Sequence, residues 1–133
     1  MWRLWRRRSR RLTRAADAAG VGAQCGAFGL DAVDGLAKFS LGGHTPGSTA
    51  YLARVDGHTF ILSGDITNDK RSIDENLPKA WIYSAFIVPE DTDRTAQLRS
   101  WLAALDARAD TTVLPAHDVP VMAAHLAKFT GAN

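Results

Sequence analysis

Apolar and polar positions alternate over residues 51–55, with Tyr51, Ala53 and Val55 on one side and Leu52 and Arg54 on the other, as in a half-buried strand. Residues 59–62 (Thr-Phe-Ile-Leu) are apolar on both sides, the pattern of a central strand in a covered sheet. Between these runs stands Asp56-Gly57, the residue pair favoured by a type I′ turn because both central positions need φ > 0. The three pieces predict a β-hairpin. A strand over 36–41 follows an Asp34-Gly35 turn, and residues 111–114 form another short, β-branched run. The period then changes. Leu98, Trp101, Leu102 and Leu105 recur at helical spacing behind the capping candidates Asp91, Thr92 and Asp93, with Arg94, Arg99 and Asp106 among the polar positions. Trp101 belongs to the core of that helix. Pro120 can open a last helix with Met122, His125, Leu126 and Phe129 as candidates for its buried side. Asn68-Asp69-Lys70-Arg71 reads as polar loop, and residues 81–88 are too apolar to lie in solvent throughout. The order of three strands, a mixed region, a helix, a strand and a helix indicates an α/β fold with helices on one face of the sheet.

A chain of 133 residues with 46% hydrophobic and 23% charged residues is expected to fold as one domain with an ordinary core. No apolar run approaches the length of a membrane helix. The single Cys25 excludes an intramolecular disulfide and fits a reducing, cytoplasmic location, although a disulfide-free secreted protein would look the same. It reads as a small buried or linker residue. The net charge of +2 conceals a split, because residues 1–14 hold seven arginines and no acid. The remaining chain is mildly acidic. Residues 1–20 are expected to be an arginine-rich, disordered arm, and 21–133 the domain proper. Trp2, Trp5 and Leu4 among those arginines could meet a membrane surface or nucleic-acid phosphates, but a solvated tail explains them as well and such contacts through Arg3 to Arg14 are not expected. No apolar segment follows them to make an export signal. Residues 20–29 carry too many glycines for a helix and read as linker or loop.

Three residues of metal-ligand type fall in loops at strand ends. His44 lies in the Gly42-Gly43-His44-Thr45-Pro46-Gly47-Ser48 turn before the hairpin, Asp65 in Ser63-Gly64-Asp65 just after it, and His117 in Pro115-Ala116-His117-Asp118 after the 111–114 strand. A hairpin returns the chain to its start, so His44 and Asp65 should end close enough to share a metal or a water, with His117 adjoining. Loops carried on a rigid sheet edge suit such a site. His58, at the opposite end of the hairpin, reads as an exposed turn residue and His125 as a histidine on a helix face. Asp118 is a candidate for orienting His117 or its loop.

Gly43-His44-Thr45-Pro46-Gly47-Ser48, Ser63-Gly64-Asp65 and Pro115-Ala116-His117-Asp118 together resemble, in order and spacing, the last three metal-binding motifs of the metallo-β-lactamase-fold hydrolases, over roughly residues 30 to 129. The first motif of that family, His-x-His-x-Asp-His, has no counterpart, since none of the four histidines precedes His44. The resemblance therefore implies the C-terminal half of an αββα sandwich, a mixed sheet with helices on one face. It implies two zinc ions, His44 as a ligand of the first, His117 of the second and Asp65 bridging them, with a metal-bound hydroxide attacking an ester, thioester or lactone. The wording of the His117 loop is closer to the lactonase and glyoxalase-II-like branches. It also implies weak or partial zinc occupancy, a chain weak or inactive alone, a small-molecule substrate, and a homodimer or a separate N-terminal half as partner. The other reading is a non-catalytic remnant that binds through an exposed sheet face or through the arm.

Overall fold

The computed structural model describes the backbone of residues 27–29 and 35–130, and the side chains of 35–127. The arginine arm, Cys25, Asp34 and the Phe129 side chain lie outside the described residues. Five strands form one sheet in the order β1 (Ala27–Gly29), β2 (Leu36–Ser40), β3 (Thr49–Val55), β4 (His58–Leu62) and β5 (Thr111–Leu114). The first four are antiparallel neighbours, and β5 runs parallel to β4. A parallel partner needs a long crossover. That crossover holds a single 3₁₀ turn (Gly64–Ile66), α1 (Lys70–Asp74), a wide turn at Tyr83–Ile87 and α2 (Thr92–Asp106); α3 (Val119–Thr130) follows β5. The fold is α/β with a mixed sheet, as the element order indicated.

The hairpin forms as expected. Asp56 and Gly57 both take positive φ, 48° and 85°, and Val55 pairs with His58 across the turn. Two predicted loops are corrected, because Ala27–Gly29 at the end of residues 20–29 pairs with β2, and Lys70 and Arg71 of the 68–71 stretch open α1 behind the Asp69 cap. An edge strand this short is held by its main-chain bonds, which any side chains permit.

Alternation then divides the sheet. Ala37, Phe39, Ala50, Leu52, Ile61 and Val113 are buried and pack with Leu98, Trp101, Leu102 and Leu105 of α2 and with Ile66 and Ile73. Each fully buried leucine here contributes about 1.5–3 kcal/mol. Asp91 caps α2 by accepting from the Arg94 amide at 2.8 Å. Arg94 and Arg99 are polar but buried, because their Nε–H groups donate to the Leu41 carbonyl (3.2 Å) and to Asn76 Oδ1 (2.8 Å). Burial pushes the Arg99 guanidinium below its ordinary value, against the opposing attraction of Glu90. Two expectations of burial are corrected: Leu126 of α3 is exposed, and His58 is half-buried rather than free in its turn. Within residues 81–88, Tyr83, Ser84 and Val88 are half-buried, while Trp81, Ile82, Phe86 and Ile87 are more than half exposed. The His58 ring bonds Thr112 Oγ1 across the parallel pair at 2.8 Å and packs against Phe60. Among the described residues no helix is long and apolar enough to cross a membrane.

Candidate functional site

The ends of the hairpin meet where the loops gather. Gly64 sits so close to Thr49 that a Cβ there would come within 3.0 Å of the Thr49 carbonyl oxygen, which brings Asp65 back to the start of β3. On the other side, Leu41 and Gly42 donate to the Ser48 carbonyl, and the Thr45 amide donates to Ser48 Oγ at 3.0 Å, closing the 41–48 loop on itself. Gly43, at φ +81°, lies against Arg94, Thr95 and Leu98 of α2, and its carbonyl accepts from the Asp91 amide at 2.9 Å. His44 is thereby fixed beside the entrance of α2.

His117 Nε2 lies 2.9 Å from Asp65 Oδ1, and both side chains are more than half exposed. His44 is buried and reaches them indirectly. Its Nδ1 contacts Glu90 Oε1 at short range, and Lys79 Nζ stands 3.2 Å from the same nitrogen. Lys79 also donates to Glu90 Oε1 (2.9 Å) and to the Asp65 main-chain carbonyl (2.6 Å). Ser84 Oγ donates to the second Glu90 oxygen at 2.9 Å, and the Tyr83 ring lies parallel to the His44 ring with centroids 6.5 Å apart. The Glu90 side chain is only 3% exposed. Burial alone would raise its carboxyl, but the hydrogen bonds from Lys79, His44 and Ser84 together outweigh that and hold it below the usual carboxylate range. Asp118 accepts from the Lys70 amide (2.9 Å) and the Val121 amide (3.2 Å), so it ties the His117 loop to the start of α1 and caps α3. His58 and His125 stand apart from this cluster, each with its ring near that of Phe60.

Lys79, Ser84 and Glu90 carry no signal at the level of sequence. They fall in the irregular stretch between α1 and α2, where no period selects them. The nearest hint is the position of Glu90, immediately before the capping Asp91. A donor set of two histidines and an aspartate is of the kind zinc accepts. The Asp65–His117 contact brings two of the three within reach of one ion. Among the described residues, however, no group of three or more His, Cys, Asp or Glu side chains is arranged to hold a metal. The residues present fit part of a metal site and not a whole one.

No family model matches this chain, and no curated protein sequence does. Its fold does match solved structures. An N-acyl homoserine lactone hydrolase with N-hexanoyl-L-homoserine bound at its catalytic metal centre superposes with a TM-score of 0.56 at 16% identity, over 74% of this chain and 36% of that one. A mutant of AiiA from B. thuringiensis with N-decanoyl-L-homoserine at its active site gives the same values. The likeness defines the fold as metallo-β-lactamase-like. The chain spans about a third of the length of the structures it matches.

Proposed function

We propose that this chain carries the C-terminal metal-binding face of a metallo-β-lactamase-fold hydrolase of the ester, thioester or lactone type, weak or inactive until donors from another source complete it. The observation that supports this most directly is the 2.9 Å approach of His117 Nε2 to Asp65 Oδ1, with His44 tied to the Asp65 backbone through Lys79. Bound zinc would supply a Lewis acid and a water acidic enough to ionise near neutral pH. The proposed donors are His44 for a first ion, His117 for a second and Asp65 for both. Asp118 holds the His117 loop in place, and Lys79 neutralises Glu90 beneath His44. The exposed Trp81, Ile82, Phe86 and Ile87 adjoin this end through Tyr83 and offer an apolar surface to the acyl part of a substrate. The matched structures hold acyl homoserines, which makes simple lactones and esters the first substrates to test.

Zinc titration by calorimetry, run beside hydrolysis of a simple lactone, tests the reading. The chain alone should bind zinc weakly and hydrolyse at or near background, since coordination positions left without protein ligands cannot fix the direction of attack and a misplacement of about 1 Å can cost on the order of a hundredfold. Adding a separately expressed N-terminal half of a related hydrolase should raise both quantities, and His117→Ala or Asp65→Asn should abolish the gain. Absence of any zinc uptake in that mixture defeats the proposal. Robust, chelator-sensitive hydrolysis by the chain alone, lost in His44→Ala, would show that the site is already complete.

A second reading, a binding module that associates through its sheet, draws on the exposure of Tyr51, Val55 and Leu62 on neighbouring strands. A clean monomer by sedimentation at micromolar concentration, without binding of a hydrophobic dye, would count against it.

A further inference from the structure

We infer that Glu90 is a positioning residue that fixes the tautomer of His44, placing the ring proton on Nδ1 and keeping the Nε2 lone pair for an electron-pair acceptor at the site. This rests on the proposed reading only in treating His44 as a site residue. Hydrogen-bond valence at Nδ1 decides the tautomer. Nδ1 of His44 has two polar neighbours of opposite kind, Glu90 Oε1 and Lys79 Nζ. An ammonium can only donate and a carboxylate can only accept, so a single ring nitrogen satisfies one of them and not both.

Three observations choose Glu90. The ring nitrogen meets the Glu90 carboxylate in hydrogen-bond contact, and two acceptors repel each other unless a proton lies between them. Lys79 has other acceptors in Glu90 Oε1 at 2.9 Å and the Asp65 carbonyl at 2.6 Å, so it does not depend on the ring. The Glu90 carboxylate is almost wholly removed from water and must find its donors within the protein. It has three: Lys79 and His44 on Oε1, and Ser84 on Oε2.

The carboxylate is also held in place by the backbone on both sides. The Glu90 amide donates to the Ser84 carbonyl at 3.1 Å, and the next amide, Asp91, donates to the Gly43 carbonyl at 2.9 Å, one residue from His44. The Tyr83 ring lies parallel to the imidazole, with centroids 6.5 Å apart. A histidine whose one nitrogen is committed to a carboxylate in this way presents the other as a directed lone pair, the arrangement that suits a histidine to bind a cation.

The test is a long-range proton–nitrogen NMR correlation of the histidine rings in the full ¹⁵N-labelled chain, recorded above the ordinary histidine titration range. The His44 signals are identified by their loss in His44→Asn. The wild-type spectrum should show a protonated Nδ1 and a bare Nε2. Glu90→Ala leaves the Lys79 ammonium as the neighbour of Nδ1, so the pattern should invert, with the proton on Nε2. Lys79→Met should leave the wild-type tautomer in place. A wild-type His44 protonated on Nε2, an unchanged pattern in a folded Glu90→Ala, or inversion in Lys79→Met would each overturn the proposal. The wild-type and Lys79→Met spectra decide the matter even if Glu90→Ala does not fold. Addition of zinc chloride separates this proposal from the one it rests on. A titration that leaves the His44 and His117 nitrogens unmoved would sink the metal-site reading while the tautomer assignment stood.

Discussion

On the side of the sheet that meets α2, Ala37, Phe39, Ala50, Leu52, Ile61 and Val113 are all buried, whereas on the other side Tyr51, Val55 and Leu62 stand 43%, 43% and 40% exposed. The exposed residues share β3 and β4 with Ala50, Leu52 and Ile61, and the two sets are comparably apolar. What separates them is the covering layer. Helix α2 lays Leu98, Trp101, Leu102 and Leu105 on the first face, while among the described residues the second carries an open cleft of about 510 Å³ lined by Phe60, Leu114 and residues of α3 such as Met122 and Leu126. Stability should therefore reside on the α2 side. The His44, Asp65 and His117 loops sit at the end of the strands, where a rigid layer can hold them.

Truncation on each side gives the largest contrast. Leu98→Ala or Leu102→Ala, at fully buried positions, should cost about 2–5 kcal/mol. Leu62→Ala, on the open side, should cost less than about 1 kcal/mol. Urea unfolding of the three variants measures both values, and equal losses would mean that the open face is covered in solution.

Next comes the joint between the buried layer and the site. At Gly43 a Cβ would meet Thr95 Cγ2, Leu98 Cδ1 and Arg94 Cγ at 3.1, 3.2 and 3.3 Å, at a φ of +81°. Gly42 is also left-handed, with φ +66°, but a Cβ there meets nothing within 4 Å. Gly42→Ala should thus lose only the backbone term of about 1–2 kcal/mol. Gly43→Ala should lose on the order of 1–3 kcal/mol more by crowding and should also disturb the His44 ring signals. Identical unfolding midpoints for the two variants would show that α2 gives way and that the loop is not braced against it.

What the sequence discloses follows the same division. The hairpin could be read because Asp56-Gly57 prescribes its own turn, and α2 because four apolar residues repeat at its period. Both are local signals. The proximity of Asp65 and His117 could be anticipated from strand ends, since topology brings those ends together. Lys79, Ser84 and Glu90 could not, because their partners are 6 to 46 residues away and the intervening stretch has no period. The exposure of Trp81, Ile82, Phe86 and Ile87 was hidden for a related reason. Apolar composition indicates a preference for burial, but only the packing determines whether a surface exists to bury them. The arginines of α2 make the converse point: Arg94 and Arg99 are charged, yet buried where carbonyl acceptors await them.

A smaller effect is expected when charge is placed on the open face. Leu62→Lys should change folding stability by about 0.5 kcal/mol or less, since the position is already partly hydrated. If the face associates with a second copy or a separate N-terminal half, the same change should abolish that association in sedimentation. A protein that loses both stability and monomeric behaviour would place Leu62 in a core that the chain itself completes.

An effect of similar size sharpens the comparison from the covered side, where α1 contributes the buried Ile73 although it is only five residues long. A helix this short depends on its cap. Asp69 Oδ1 accepts from the Ser72 amide at 2.7 Å, and that bond holds the Asp69 carboxyl below its ordinary value of 3.8. Removing a cap of this kind costs about 0.5–2 kcal/mol in general. Asp69 is exposed, so solvent screening keeps the expected loss in Asp69→Ala at the lower end of that range. The sign of the pH dependence follows from the lowered value. The carboxylate contributes its stability above the unfolded-state pKa, and the contribution fades as the pH falls through the folded-state pKa. The gap between wild type and Asp69→Ala should therefore hold steady from neutral pH to about pH 5 and narrow below about pH 4. Asp69→Asn, which keeps a capping oxygen without a charge, should retain most of the stability and lose the pH dependence. Urea midpoints for the three proteins across that range provide the measurement. A gap that widened in acid would mean that Asp69 is opposed by a nearby negative charge, and α1 would then be held by Ile73 alone.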